Sequence, residues 1–404
     1  MEDFKVTCFL FGKRKRKRGK TMGIRRNIRT KIGTLMICVL FCCICGCGYQ
    51  KEKTSSANME ESTKKIVVLG KESYVYSDEA LVRGIEMAME ELKQEGIELT
   101  WEHIDDNGEY ETGISYGGQA AKDDSVLAVF TVQDFDVIDA LAPVYEEAKK
   151  PFISIQGCNE STLQEGYQYF FCAFTSAEDM GRAVADYCGK KAYERVVCSH
   201  TDTTFELSEM RGFQRNASQN NVNIVDMIQG PSTMTELKST CYRWETLQVD
   251  AVYLAHLTYS DTSWMLDIIR YLKEQNPKLQ ILSDYSLNHG ETLETHGDIL
   301  EGVVIPAPYS VEENELTKEF RKRYEEKYGT SISNVAMQGY DLVHIFGGLL
   351  REGCTDTEKM MEQLKRSEGF EGTTGHIHFT KNGKLTGIAP QYLVVRDKKF
   401  VLVK

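Results

Sequence analysis

The sequence contains no His-Glu-x-x-His and no Gly-x-Gly-x-x-Gly, which removes the commonest zinc-hydrolase and dinucleotide-binding signatures. Of its twelve cysteines, the six beyond residue 47 (Cys158, Cys172, Cys188, Cys198, Cys241 and Cys354) include no Cys-x-x-Cys and no metal-ligand spacing. There is no internal repeat, and low complexity is confined to the first residues. Apolar runs are short. The stretch 32–44 has thirteen residues, too few to cross a bilayer as a helix, which takes about 20. Positive charge is also scarce outside the leader. Residues 1–47 hold twelve Lys/Arg against Glu2 and Asp3. The remainder therefore stands at −22, the −12 of the whole chain less the +10 of the leader. A body this acidic repels nucleic acid.

What is present begins with an address. Arg25, Arg26, Arg29 and Lys31 precede the apolar stretch 32–44, the layout of a secretory signal peptide. Met22 stands just before this region, so the first 21 residues read as an upstream start. The segment Ile44-Cys45-Gly46-Cys47 resembles a bacterial lipobox, in which Cys47 becomes the lipid-bearing N-terminus. Residues 48–63 are polar and aperiodic, as in a flexible tether. Export permits disulfides, but spacing does not pair the six body cysteines, and free buried thiols are an equal reading.

At 404 residues, 41% of them apolar and 27% charged, the chain can bury more than one core and is not disordered. From residue 65 on, short apolar runs alternate with helical patterns. Strands are expected at 66–69, 99–104, 126–130, 152–155, 195–198, 222–228, 251–254, 279–282 and 302–305. In the first helix, Leu81, Ile85, Ala88 and Leu92 share one face. Further helices are expected at 136–148, 177–190, 205–219, 261–275, 312–328 and 334–351. Residues 375–379, an Asn382-Gly383 turn and residues 391–395 read as strand, turn, strand. The fold class that follows is α/β, with doubly wound parallel sheets covered on both faces. Such sheets bind ligands at the carboxyl ends of strands, beside helix N-termini.

Three local patterns could carry chemistry. Gly113-Ile114-Ser115-Tyr116-Gly117 matches the Gly-x-Ser-x-Gly nucleophile elbow, but no strand ends at Ser115, and a helix is expected to begin there. A secreted hydrolase using Ser115 is therefore the weakest alternative. His376 and His378 share a strand face without a third ligand. Gly12 and Gly19-Lys20-Thr21 have the wrong spacing for a phosphate loop. The chain reads as a non-enzyme without cofactor or metal.

Four segments, in order, resemble the branched-chain amino-acid (leucine/isoleucine/valine) binding proteins of ABC importers, within the type I periplasmic binding proteins. They are residues 154–169 (Ser-Ile-Gln-Gly-Cys-Asn-Glu-Ser-Thr-Leu, ending Gly-Tyr-Gln-Tyr) and 200–206 (His-Thr-Asp-Thr-Thr-Phe-Glu). The others are 334–341 (Asn-Val-Ala-Met-Gln-Gly-Tyr-Asp) and 372–379 (Gly-Thr-Thr-Gly-His-Ile-His-Phe) with Asn382-Gly383. The resemblance implies two lobes joined by three crossings near 175, 306–308 and 383–390. It divides the chain into a leader (1–47), a tether (48–63), an N-terminal lobe (64–175 and 308–382) and a C-terminal lobe (176–307 and 383–404).

The resemblance also implies ligand groups. Gln156, Gly157 and Cys158 correspond to the loop that clamps an amino acid, with Cys158 in place of a Thr. Gln133, Asp134 and Phe135 lie where a Ser would hold the carboxylate. Phe205 takes the place of an aromatic lid, and Asp284 that of the acid facing the ammonium. Tyr74 and Tyr76, with Ser73, lie in the first loop, and Tyr259 in a facing loop. With the hydroxyl donors gone, an amine, amide or other small polar solute fits better than an α-amino acid. The expected partners are a small-molecule ligand, ABC permease subunits and, through the lipid, the outer face of the bacterial cell membrane. A sensing lipoprotein docked to a signalling partner is the alternative.

Overall fold

The computed structural model describes residues 63–76, 79–256, 263–288, 290–309 and 312–403. The leader, Met22, Cys47 and Tyr259 lie outside the described residues.

The chain alternates strand and helix. β1 (Lys64–Leu69) leads through α1 (Glu72–Val75) and α2 (Ala80–Gln94) to β2 (Leu99–Ile104), and α3 (Tyr110–Lys122) leads to β3 (Val126–Thr131). Then come α4 (Phe135–Ala148), β4 (Phe152–Ser154), α5 (Glu160–Gln164) and β5 (Phe170–Cys172). These five strands form a parallel sheet in the order β2-β1-β3-β4-β5. Side chains alternate across it. Ile66 and Val68 of β1 enter the core under α2, whereas Val67 and Leu69 enter the core under α4.

The chain then builds a second sheet. α6 (Ala177–Lys190), β6 (Arg195–His200), α7 (Thr204–Ala217) and β7 (Asn223–Gln229) are followed by α8 (Met234–Leu247), β8 (Ala251–Ala255) and α9 (Ser263–Gln275). β9 (Gln280–Ser283), α10 (Gly290–Leu300) and β10 (Val304–Ala307) complete this run. From there α11 (Glu315–Tyr328), α12 (Asn334–Arg351) and α13 (Thr357–Leu364) return to the first sheet. Phe320, Tyr324, Phe346 and Met360 join the same core as Ile66 and Leu81. β11 (Phe370–Gly372), β12 (Gly375–Phe379) and β13 (Leu385–Thr386) form a small antiparallel sheet, which touches the first through a bridge from Lys384 to Cys172. Finally β14 (Gln391–Arg396) and β15 (Lys399–Leu402) cross back, completing the order β15-β14-β10-β9-β8-β6-β7.

The expected hairpin between 375–379 and 391–395 is thus corrected. β12 pairs with the two residues of β13, and β14 pairs antiparallel with β10. Leu393 and Val395 are buried in the second sheet, so their partners are set by burial and not by the nearby turn.

Local chemistry explains the sharpest boundaries. α6 begins where Ser176 Oγ accepts the Asp179 N–H at 3.2 Å, and α12 where Ser333 Oγ accepts that of Ala336. Each half contains a close helix pair made possible by a missing side chain. A Cβ at Gly84 would lie 2.0 Å from the Ala336 carbonyl oxygen, and one at Gly212 would lie 2.0 Å from that of Glu178. Asp341 of α12 is buried and accepts the backbone N–H and hydroxyl of both Thr373 and Thr374, tying down the turn into β12. Two of the four recognisable segments, 334–341 and 372–379, therefore share one structural lock. The six body cysteines are free thiols, five of them buried.

Candidate functional site

A cleft of about 430 Å³ draws its walls from both halves. Larger depressions of about 530 and 570 Å³ each lie on one half alone, and an apolar cavity of about 50 Å³ sits where the crossings converge. A clamp requires groups from both sides, so the 430 Å³ cleft is the candidate site.

The first wall grows from the carboxyl ends of β3 and β4. Gln133 is buried. Its Oε1 accepts the Thr131 hydroxyl at 3.1 Å, and its Nε2 donates to Asp106 Oδ2 at 2.6 Å. Asp134 and Phe135 open α4 at the rim. Among the described residues the Asp134 carboxylate has no hydrogen-bond partner. Partial desolvation, then Asp136 and Asp106, push its pKa up, and Lys71 opposes them weakly. Asp136 accepts the Val137 N–H at 2.9 Å. Gln156 follows β4 and also lines the cleft, as does Tyr74 from α1.

The second wall is the start of α7, where Thr203, Thr204, Phe205 and Glu206 face the cleft. Phe205 and Glu206 are buried. An aromatic chain joins the walls at their base. Ring centroids of Phe135 and Phe205 are 6.3 Å apart, those of Phe205 and Tyr285 5.6 Å, and those of Tyr285 and Phe174 5.5 Å.

Six of the ten expected ligand residues line this cleft: Tyr74, Gln133, Asp134, Phe135, Gln156 and Phe205. Four do not. Tyr76 packs its ring on His103, with centroids 5.3 Å apart. Gly157 is buried beneath Phe135, with φ +117° and its carbonyl accepting the Ser154 hydroxyl. Cys158 points into the core beside Cys172; that contact and burial raise its thiol pKa well above the usual range. Asp284 is wholly buried and spends its oxygens inward. Oδ2 accepts the His256 N–H at 2.8 Å, and Oδ1 the Ser286 N–H at 2.7 Å. Burial lifts its pKa to about 6. Behind it, burial lowers the pKa of His256, whose Nε2 meets Ser199 Oγ at 2.8 Å, to about 4. Glu209, one turn along α7, is fully buried, and burial with Asp284 and Glu206 nearby raises its pKa far above the usual range.

Sequence reasoning missed Asp136, Thr203, Thr204 and Glu206 as lining residues. Their signal was available: each stands at or within one turn of a helix N-terminus that directly follows a strand's carboxyl end. Ser115 lies in the middle of α3, its hydroxyl 3.4 Å from Gln119 Nε2. No strand ends there, so the elbow geometry is absent. His376 pairs with Glu371, and His378 with Thr386. Among the described residues no group of three His, Cys, Asp or Glu could hold a metal ion.

A family model described as "Periplasmic binding protein" matches residues 68–398. No curated protein matches the chain. Solved structures share the fold at low identity. A substrate-binding protein of an ABC transporter from Desulfitobacterium hafniense, in complex with Leu, is 19% identical. The match covers 84% of this chain and 99% of that one, with a TM-score of 0.75. A leucine-binding protein from Thermotoga maritima is 20% identical, with coverages of 84% and 98% and a TM-score of 0.69. A solute-binding protein from Rhodopseudomonas palustris, in complex with 3,4-dihydroxybenzoic acid, is 16% identical, with coverages of 85% and 97% and a TM-score of 0.71.

Proposed function

The chain belongs to the periplasmic binding protein family, in its type I form, and from that premise we propose that it is the solute-binding lipoprotein of an ABC importer. It captures a small polar solute, an amino acid or an amine-like molecule, between two lobes. The lobes comprise 64–175 with 308–382, and 176–307 with 383–404. Lipid on Cys47 and a tether over 48–63 hold them at the outer face of the membrane, where a permease collects the solute.

The observation that carries this reading is the cleft itself. Its lining comes from the strand ends of one sheet (Gln133 to Asp136, and Gln156) and from the first turn of α7 on the other (Thr203 to Glu206). Ligands of open α/β sheets bind at that position. Three chain crossings are few enough to act as a hinge, and closure around a solute is the expected motion. Relatives of the same fold carry leucine or an aromatic acid, which supports a guest of similar size.

Thermal unfolding of the purified protein with panels of amino acids, amines, amides and aromatic acids tests the capture reading. A binder at one hundred times its Kd adds about 2.7 kcal/mol to stability, enough to raise the midpoint by several degrees. No shift with any of the four panels would count heavily against capture. Labelling with a radioactive fatty acid that is lost in Cys47→Ser tests the anchor.

A further inference from the structure

The described lining of the cleft is acidic. Asp134 and Asp136 enter from one wall and Glu206 from the other, and among the described residues no Lys, Arg or His lines it. Two donors beside it are already engaged. The Gln133 amide donates to Asp106, and the Val137 N–H donates to Asp136. Both helix N-termini at the cleft, of α4 and α7, would attract an anion through their exposed N–H groups. Each instead carries its own acid in the first turn, Asp136 on α4 and Glu206 on α7. Cys158, at the position of a hydroxyl in the resembling family, is turned away into the core. Asp284 and Glu209 lie further back on the same side, and among the described residues no lysine or arginine acts on either. Lys71 acts on Asp134 from the rim, its ammonium 5.6 Å from the centre of the Tyr74 ring.

The rest of the lining suits a positive guest with an apolar body. Phe135 and Phe205 line the same cleft as the three acids, and an ammonium within about 6 Å of such a ring is attracted to it. We infer that the solute is a small organic ammonium cation that carries no carboxylate, held by Asp134, Asp136 and Glu206 against Phe135 and Phe205. This rests on the capture reading and narrows it. A zwitterionic amino acid or an aromatic acid would set its carboxylate beside three acidic side chains, with no Lys, Arg or His among the described lining residues to answer it.

The test is calorimetric titration of the full chain, in mild detergent, with four probes: tetramethylammonium, 1,4-diaminobutane, leucine and benzoate. One ammonium probe should bind one per chain, at least about tenfold tighter than leucine or benzoate, and its affinity should fall as salt rises. Asp134→Asn, an exposed substitution that leaves the fold undisturbed, should weaken it by roughly tenfold, and Glu206→Gln by at least as much. Tighter binding of leucine or benzoate overturns the cation class and leaves capture standing. Failure of both ammonium probes also overturns it, with capture then judged by the thermal panels. Equal affinity in Asp134→Asn and the parent chain overturns the assigned carboxylate.

Discussion

Two buried groups at the strand ends of the second sheet titrate in opposite senses. Burial lowers His256 from 6.5 to about 4, so the folded state resists its proton and stability falls as pH drops from 6.5 towards 4. Asp284 is raised from 3.8 to about 6, so the folded state keeps its proton longer, and stability falls as pH rises from 3.8 to 6. The two slopes oppose each other over much the same window. Replacing His256 with Gln, which can still meet Ser199 Oγ, removes one of them. At 1.36 kcal/mol per pH unit, His256→Gln should gain about 3 kcal/mol relative to the parent between pH 7 and pH 4. Urea unfolding at both pH values measures this; parallel curves would mean that His256 is not held neutral. The same residues mark how far a sequence reaches. That 133–135, 156 and 205 stand at strand ends follows from alternation. Which way Asp284 and Cys158 turn does not, because it is decided by backbone N–H groups and core contacts supplied from distant segments.

Elements with many buried apolar residues were the readable ones. The expected ranges of α6 and α12 match the structure to the residue, and each has a Ser cap and a broad buried face. α8 escaped notice because only Leu237, Cys241 and Trp244 are buried along its length. β5 escaped because it is three residues inside a longer aromatic run, and its strand character comes from pairing with β4. Close helix packing gives a sharper prediction. Gly212→Ala would place a methyl 2.0 Å from the Glu178 carbonyl oxygen and force α6 from α7, costing about 1–3 kcal/mol. Gly118→Ala, on the open side of α3 with nothing within 4 Å, should instead stabilise by up to about 1 kcal/mol. Denaturant midpoints of the two variants should move in opposite directions. Movement the same way would show that the α6–α7 spacing is not limiting.

Over the whole molecule, the two-sheet α/β plan was legible because strands and helices alternate nearly without a break. The strand partner of residues 391–395 was not, since β14 finds it through burial against β10, about ninety residues earlier in the chain. The functional claim lives at this scale: one solute is gripped from both sheets at once. Whichever probe binds most tightly should be titrated into Gln156→Ala, from the first half, and Thr204→Ala, from the second, with calorimetry giving affinity and stoichiometry. A stoichiometry of one, with affinity lowered several-fold or more in each variant, is the predicted result. Binding that one half's substitution weakens and the other's leaves untouched would contradict capture between the two.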